Sequence, residues 1–70
     1  MIFHYAAHLR LLRKERGMTQ QGMSVVLGIT ERQYASYETG TVDLPISKLL
    51  ALCEYFAVSA DYLLGLSEKR

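Results

Sequence analysis

In TQQGMSVVLGITERQYASYETG, residues 19–40, two threonines each head a segment of helical length, and each segment closes on a glycine. Thr19 is suited to cap a helix running to about Leu27, with Gly28 past its end. Thr30 is suited to cap the next, which runs to Glu38 and ends at Gly40, and Gln33 stands three residues on, the spacing of a capping box. Only Gly28, Ile29 and Thr30 join the two segments. So short a turn with glycine at its head predicts a steep crossing, a helix-turn-helix over about residues 19–38.

The crossing leaves the first turn of the second helix protruding. Glu31, Arg32 and Ser36, with Gln33 beside them, are then presented as donors and acceptors at a spacing suited to base edges in a DNA major groove. Tyr34 and Tyr37 are expected to turn inward and hold the element in place. The bland alternative is a capped helix end that is simply solvated.

The flanking sequence reads as more helix. Tyr5, Leu9, Leu12 and Arg16 recur at three and four residues along a first helix that stops at Gly17. Met23, Val26 and Leu27 give the second helix its inward face. Pro45 suits the first turn of a fourth helix with the stripe Ile46, Leu49, Leu52, Cys53 and Phe56. Ser59 starts a short fifth helix that ends at Gly65, with Asp61 favourably near its positive end. No alternating strand pattern or repeat appears. The expected class is all-α, five helices in one small domain, residues 1–70.

Composition narrows the function classes. The chain is 50% hydrophobic with a net charge of +1. Residues 1–40 set Arg10, Arg13, Lys14, Arg16 and Arg32 against Glu15, Glu31 and Glu38, whereas residues 41–70 set Lys48, Lys69 and Arg70 against Asp43, Glu54, Asp61 and Glu68. The basic half is the first. Cys53 is the single cysteine, which rules out an internal disulfide and fits a reducing cytoplasm. On the inward stripe it behaves as a small hydrophobe rather than a redox switch. The long apolar stretch from Leu44 to Leu66 is interrupted by Lys48, Glu54 and Asp61, so no membrane span is expected. His4 and His8 share a helical spacing but lack a third metal ligand nearby and read as surface residues. With no glycine-flanked serine, no phosphate loop and little chain to shape a pocket, neither catalysis, a cofactor nor a small-molecule ligand is expected.

The stretch RKERGMTQQGMSVVLGITERQYASYETG, residues 13–40, resembles the lambda-repressor and Cro type of helix-turn-helix DNA-binding domain. The resemblance rests on Arg13 four residues before Gly17, Thr19-Gln20, Leu27-Gly28-Ile29-Thr30 and Tyr37-Glu38-Thr39-Gly40. LPISKLLALCEYFAVSADYLLG, residues 44–65, looks like the fourth and fifth helices of the same family. The resemblance implies that Gln20 bonds a DNA phosphate, with the helix start around Thr19 adding backbone donors, and that Thr30 lies near the DNA backbone. It implies base contacts by Glu31, Arg32 and Ser36, and a partly buried ion pair between Arg13 and Glu38. Arg10 and Lys14 are further candidates for the DNA backbone.

Three positions depart from the family pattern. Gly22 either weakens its helix, by about 1 kcal/mol relative to alanine, or admits a close backbone. Ser24 replaces a small alanine and can bond back to its own helix. Glu31 either accepts from cytosine N4 or orients Arg32. The expected function is a DNA-binding transcriptional regulator, a repressor that occupies a palindromic operator as a homodimer through Tyr62 and Leu66. Ile2, Phe3, Leu11, Leu50 and Tyr55 add to the apolar surplus that suggests an interface. An antitoxin-like or adaptor module whose partner is a protein is the alternative, and a purely structural helical bundle a third reading.

Overall fold

Helix ends set the architecture of this chain. In the computed structural model, which describes residues 5–70, the helices are α1 (Tyr5–Glu15), α2 (Gln20–Leu27), α3 (Glu31–Thr39), α4 (Ile46–Phe56) and α5 (Ala60–Leu63), and no strand occurs among the described residues. Thr19 caps α2 by accepting from the Gly22 N–H, and Ser59 caps α5 by accepting from the Tyr62 N–H. Pro45 sits at the N-cap of α4 rather than inside its first turn. At the end of α2, Gly28 adopts φ 68°, and the Gly28 and Ile29 N–H groups donate to the Val25 and Ser24 carbonyls. This double bond pattern is a Schellman motif, which needs a left-handed residue where glycine carries no steric cost. α1 stops at Glu15, one residue short of the stripe, and α3 extends to Thr39.

The core gathers two or three side chains from each helix: Tyr5, Leu9 and Leu12 from α1, Met23 and Leu27 from α2, Tyr34 and Tyr37 from α3, Leu52 and Phe56 from α4, and Tyr62 and Leu63 from α5. The radius of gyration, 10.9 Å, matches the value of about 11 Å for a compact chain of this length. Tyr34 and Tyr37 turn inward as their spacing predicts, meeting edge to face.

Several sequence expectations need correction. Val26 is exposed, not inward, because α2 meets the core on only one narrow stripe, Met23 and Leu27. Ile46 is 74% exposed, since the first residue of α4 lies beyond the edge of the core. His8 is half-buried rather than a surface residue: its ring packs on Tyr62 at 4.9 Å between centroids, and its Nδ1 is buried without a partner. A Cβ at Gly22 would meet the Met18 and Thr19 side chains at 3.3 Å, so no close backbone accounts for that glycine. Tyr62 belongs to the core, 6% exposed, and offers little surface to a partner, whereas Leu66 is exposed. Ser24 bonds back to the Gln21 carbonyl as expected. His4, Ile2 and Phe3 lie outside the described residues.

Candidate nucleic-acid interface

The start of α3 is held by reciprocal bonds between neighbours in sequence. The Gln33 N–H donates to Thr30 Oγ1 at 3.1 Å, and the Thr30 N–H donates to Gln33 Oε1 at 3.0 Å, completing the capping box. Two of the N–H groups that a helix start leaves without partners are thereby satisfied. With the end of the helix fixed, Glu31, Arg32 and Gln33 are exposed, Gln33 with its carboxamide turned back into the cap, and Ser36, half-buried, donates its hydroxyl to the Gln33 carbonyl at 2.6 Å. The opposite face of α3, Tyr34, Tyr37 and Glu38, is buried. One helix therefore carries a packed side and an exposed polar side.

Glu38 lies at the meeting point of α1, α2 and α3. Its side chain is 1% exposed and accepts from Arg13 Nε at 2.6 Å, Arg13 Nη2 at 3.0 Å, Tyr34 Oη at 2.5 Å and Gln20 Nε2 at 3.3 Å. Arg13 Nη1 adds a bond to the Met18 carbonyl, tying the lead-in to α2 into the same cluster. Burial pushes the Glu38 carboxyl up, but hydrogen bonds from Arg13, Tyr34 and Gln20 and the Arg13 charge outweigh it and hold the group below the ordinary carboxylate range. Burial likewise raises the Tyr34 hydroxyl, as does its bond to Glu38, so it stays a donor. The ion pair implied by the resemblance is thus present and forms the hub that orients the two helices.

The remaining candidates divide between the two. Thr19 is exposed, its Oγ1 accepting the cap bond of α2. Gln20 is half-buried, and one of its amide hydrogens is given to Glu38. Arg10 donates to the Glu38 backbone carbonyl at 3.2 Å while its side chain remains 52% exposed. Lys14 is exposed. Lys48 donates to the Leu27 carbonyl, placing a cation at the negative end of α2, a role that spacing within α4 alone does not reveal. Arg16 lies over the Tyr55 and Phe56 rings. Burial pushes the Cys53 thiol up, away from the reactive thiolate. Among the described residues no cluster of His, Cys, Asp and Glu could hold a metal, and no helix is long and apolar enough to cross a membrane.

Capped helices joined by a left-handed glycine, with a polar face on the second, are matched by a known domain. A family model described as a helix-turn-helix domain covers residues 6–68. The chain belongs to the helix-turn-helix domain family. This helix-turn-helix domain is 36% identical over 64 residues to the uncharacterized HTH-type transcriptional regulator YobD of Bacillus subtilis, an alignment covering 91% of the chain and 57% of that protein. It is 35% identical over 60 residues to a prophage-derived uncharacterized HTH-type transcriptional regulator, YonR, of the same organism, covering 86% of the chain and 56% of that protein. The domain therefore spans a little over half the length of these curated relatives. Its fold superposes on a transcriptional regulator from Listeria innocua with a TM-score of 0.88 at 30% identity, covering all of this chain and 65% of the other. It also superposes on the P22 c2 repressor protein, solved in complex with synthetic operator 9T in the presence of Tl+, with a TM-score of 0.81 at 24% identity over 90% of this chain and 96% of the other. The last likeness is one of fold.

Proposed function

We propose that this chain binds double-stranded DNA sequence-specifically and acts in the cytoplasm as a transcriptional repressor that occupies an operator as a symmetric homodimer. The observation that carries this reading is α3: buried along Tyr34, Tyr37 and Glu38, it leaves Glu31, Arg32 and Gln33 exposed at a capped first turn. A helix so presented fits the major groove, where base edges are distinguishable by their donors and acceptors. Glu31, Arg32, Gln33 and Ser36 are assigned to bases, and Thr19, Gln20, Thr30, Arg10 and Lys14 to the phosphate backbone. The names of the relatives, and the operator bound by the P22 c2 repressor, support it. Such binding involves no catalytic step, cofactor or small-molecule ligand.

The dimer reading rests on Leu66, 59% exposed beside α5, and on the few cations available to one protomer. A dimer of this kind selects an inverted repeat with half-site centres about 10 base pairs apart. A protein-binding, adaptor or antitoxin-like role is the second reading, favoured by the exposed apolar side chains Val25, Ile46, Leu50 and Leu66. Selection of bound sequences from random duplexes, followed by sedimentation with the recovered duplex, separates the two. Two protomers on a two-fold symmetric site are expected. One protomer per site, or sites without symmetry, would sink the dimer, and failure to enrich any sequence would favour the protein partner.

A further inference from the structure

We infer that the operator presents a C·G base pair to the start of α3, Glu31 accepting from its cytosine N4 and Arg32 donating to a guanine of the same or the neighbouring pair, with this acceptor and donor carrying the specificity. The inference deepens the DNA-binding reading above and rests on it. The polarity of each side chain on the exposed edge follows from bonds already made inside the helix.

Gln33 is the side chain whose chemistry best suits adenine, through a paired donor and acceptor reaching N7 and N6. Here its Oε1 accepts from the Thr30 N–H at 3.0 Å, which folds the carboxamide back over the helix end and commits the acceptor to the capping box. A two-bond adenine contact would have to give up that bond. Ser36 spends its only hydrogen on the Gln33 carbonyl at 2.6 Å and offers DNA only lone pairs. Neither is free to reach outward with a two-bond contact.

Glu31 and Arg32 are not committed in this way. Among the described residues Glu31 forms no ion pair and no side-chain hydrogen bond, and Arg32 likewise. Consecutive residues on a helix diverge rather than face each other, so a role for Glu31 in orienting Arg32 lacks the contact it requires. A carboxylate only accepts, and in the major groove the donors are cytosine N4 and adenine N6. The adenine donor sits between two acceptors, its own N7 and thymine O4, whose lone pairs oppose a second carboxylate oxygen. Cytosine N4 has a C–H on one side. Guanine, its partner, provides the two adjacent acceptors O6 and N7 that a guanidinium fork fits. The acceptor Glu31 thus suits a cytosine, and the donor Arg32, which diverges from it, suits a guanine of the same or the neighbouring pair.

The test compares motifs selected from random duplexes by the full chain and by two variants at exposed positions, with thermal melts confirming that each is folded. The unsubstituted chain should require C·G at one position per half-site. Glu31→Gln should move that position toward A·T, because an amide suits adenine, and Arg32→Ala should relax it or its neighbour. Replacing the guanine by 7-deazaguanine, which lacks the N7 acceptor, should weaken the unsubstituted chain by about 5- to 150-fold and leave Arg32→Ala unaffected. A selected motif that Glu31→Gln leaves unchanged overturns the inference while DNA binding stands. If no sequence is enriched over bulk duplex by the unsubstituted chain, the inference falls together with the reading it rests on.

Discussion

At the residue scale, Glu38 and Arg13 form a pair whose two halves are unequally sheltered, with side chains 1% and 13% exposed. Removing one partner of a buried pair costs about 3–5 kcal/mol, a large part of the roughly 4–10 kcal/mol expected for a domain of this length. Arg13→Ala should be the worse change, because it leaves the more deeply buried charge facing only the half-exposed Arg10 at 3.8 Å, and the double substitution to alanine should cost less than the sum of the singles. Strictly additive losses in denaturant melts would contradict the contact. The pH dependence follows from the same geometry. Because the Glu38 carboxyl is held below its ordinary value of 4.5, its contribution is complete above that pH and is lost as pH falls through the lower folded-state value. In Arg13→Ala the bonds and charge of Arg13 no longer oppose burial, so the carboxyl should lie higher than in the unsubstituted protein, although Tyr34 and Gln20 still donate to it. That variant should then lose less stability on acidification than the unsubstituted protein does. Thermal melts between neutral pH and pH 3 compare the two slopes. Glu15 is also held low, by its bonds to Arg70, but it is exposed and contributes little to this limb.

At the scale of the element, the end of α4 breaks a pattern that the other long helices follow. α2 and α3 close on Gly28 and Gly40, at φ 68° and 71°, whereas α4 closes on Ala57 at φ 56°. The bonds from the Ala57 and Val58 N–H groups to the Glu54 and Cys53 carbonyls complete a Schellman motif all the same. A left-handed alanine costs about 1–2 kcal/mol, partly offset in a glycine variant by the greater freedom of the unfolded chain. Ala57 is exposed, so little packing is lost. Ala57→Gly is therefore expected to stabilise by about 1 kcal/mol and to raise Tm by about 4–8 °C. An unchanged or lower Tm by calorimetry would show that the strain is relieved in solution. The opposite choice is made at His8 in α1, where a buried Nδ1 lacks a partner against Tyr62. His8→Phe keeps a ring on Tyr62 and removes the unsatisfied atom, a gain of about 1 kcal/mol that urea titration would register as a higher midpoint.

At the scale of the whole molecule, charge is the unusual property for a domain read as DNA-binding. Between Gly17 and Ser47 the charged residues are Glu31, Arg32, Glu38 and Asp43, and Glu38 is already neutralised by Arg13. Arg16, Lys48 and Arg70 are engaged with aromatic rings, the Leu27 carbonyl and Glu15 respectively. Among the described residues Lys14 and Arg32 remain to meet phosphate, with Arg10, which is half-exposed although it touches Glu38; Lys69 is also unengaged but lies near the C-terminal end of the chain, far along the sequence from the helix-turn-helix. Each phosphate neutralised contributes about −0.9 to the slope of log affinity against log salt, so a dimer using Arg10, Lys14 and Arg32 from each protomer should show a slope no steeper than about −5. Affinities measured by fluorescence anisotropy across a salt series provide the slope. A much steeper value would require cations outside this set.

What the sequence determined by itself is local. Thr19 with Gly22, Thr30 with Gln33, and Gly28 with Ser24 and Val25 are joined by bonds spanning no more than five residues, so the starts and ends of α2 and α3 could be read without knowing where any other helix lies. The Arg13–Glu38 pair stands between these cases: resemblance implied it, but periodicity has no means of joining residues 25 apart in sequence. Tertiary structure alone decided which apolar residues are covered. Val26 and Ile46 fit helical stripes yet face solvent, and Tyr62, plausible as interface, fills the core. A helix buries only the arc that its neighbours reach, and that arc is set by crossing angles and separations between elements distant along the chain. For the same reason Gln20 could be placed at the start of α2 from sequence, while the turn of its amide toward Glu38 needed α1, α2 and α3 assembled together.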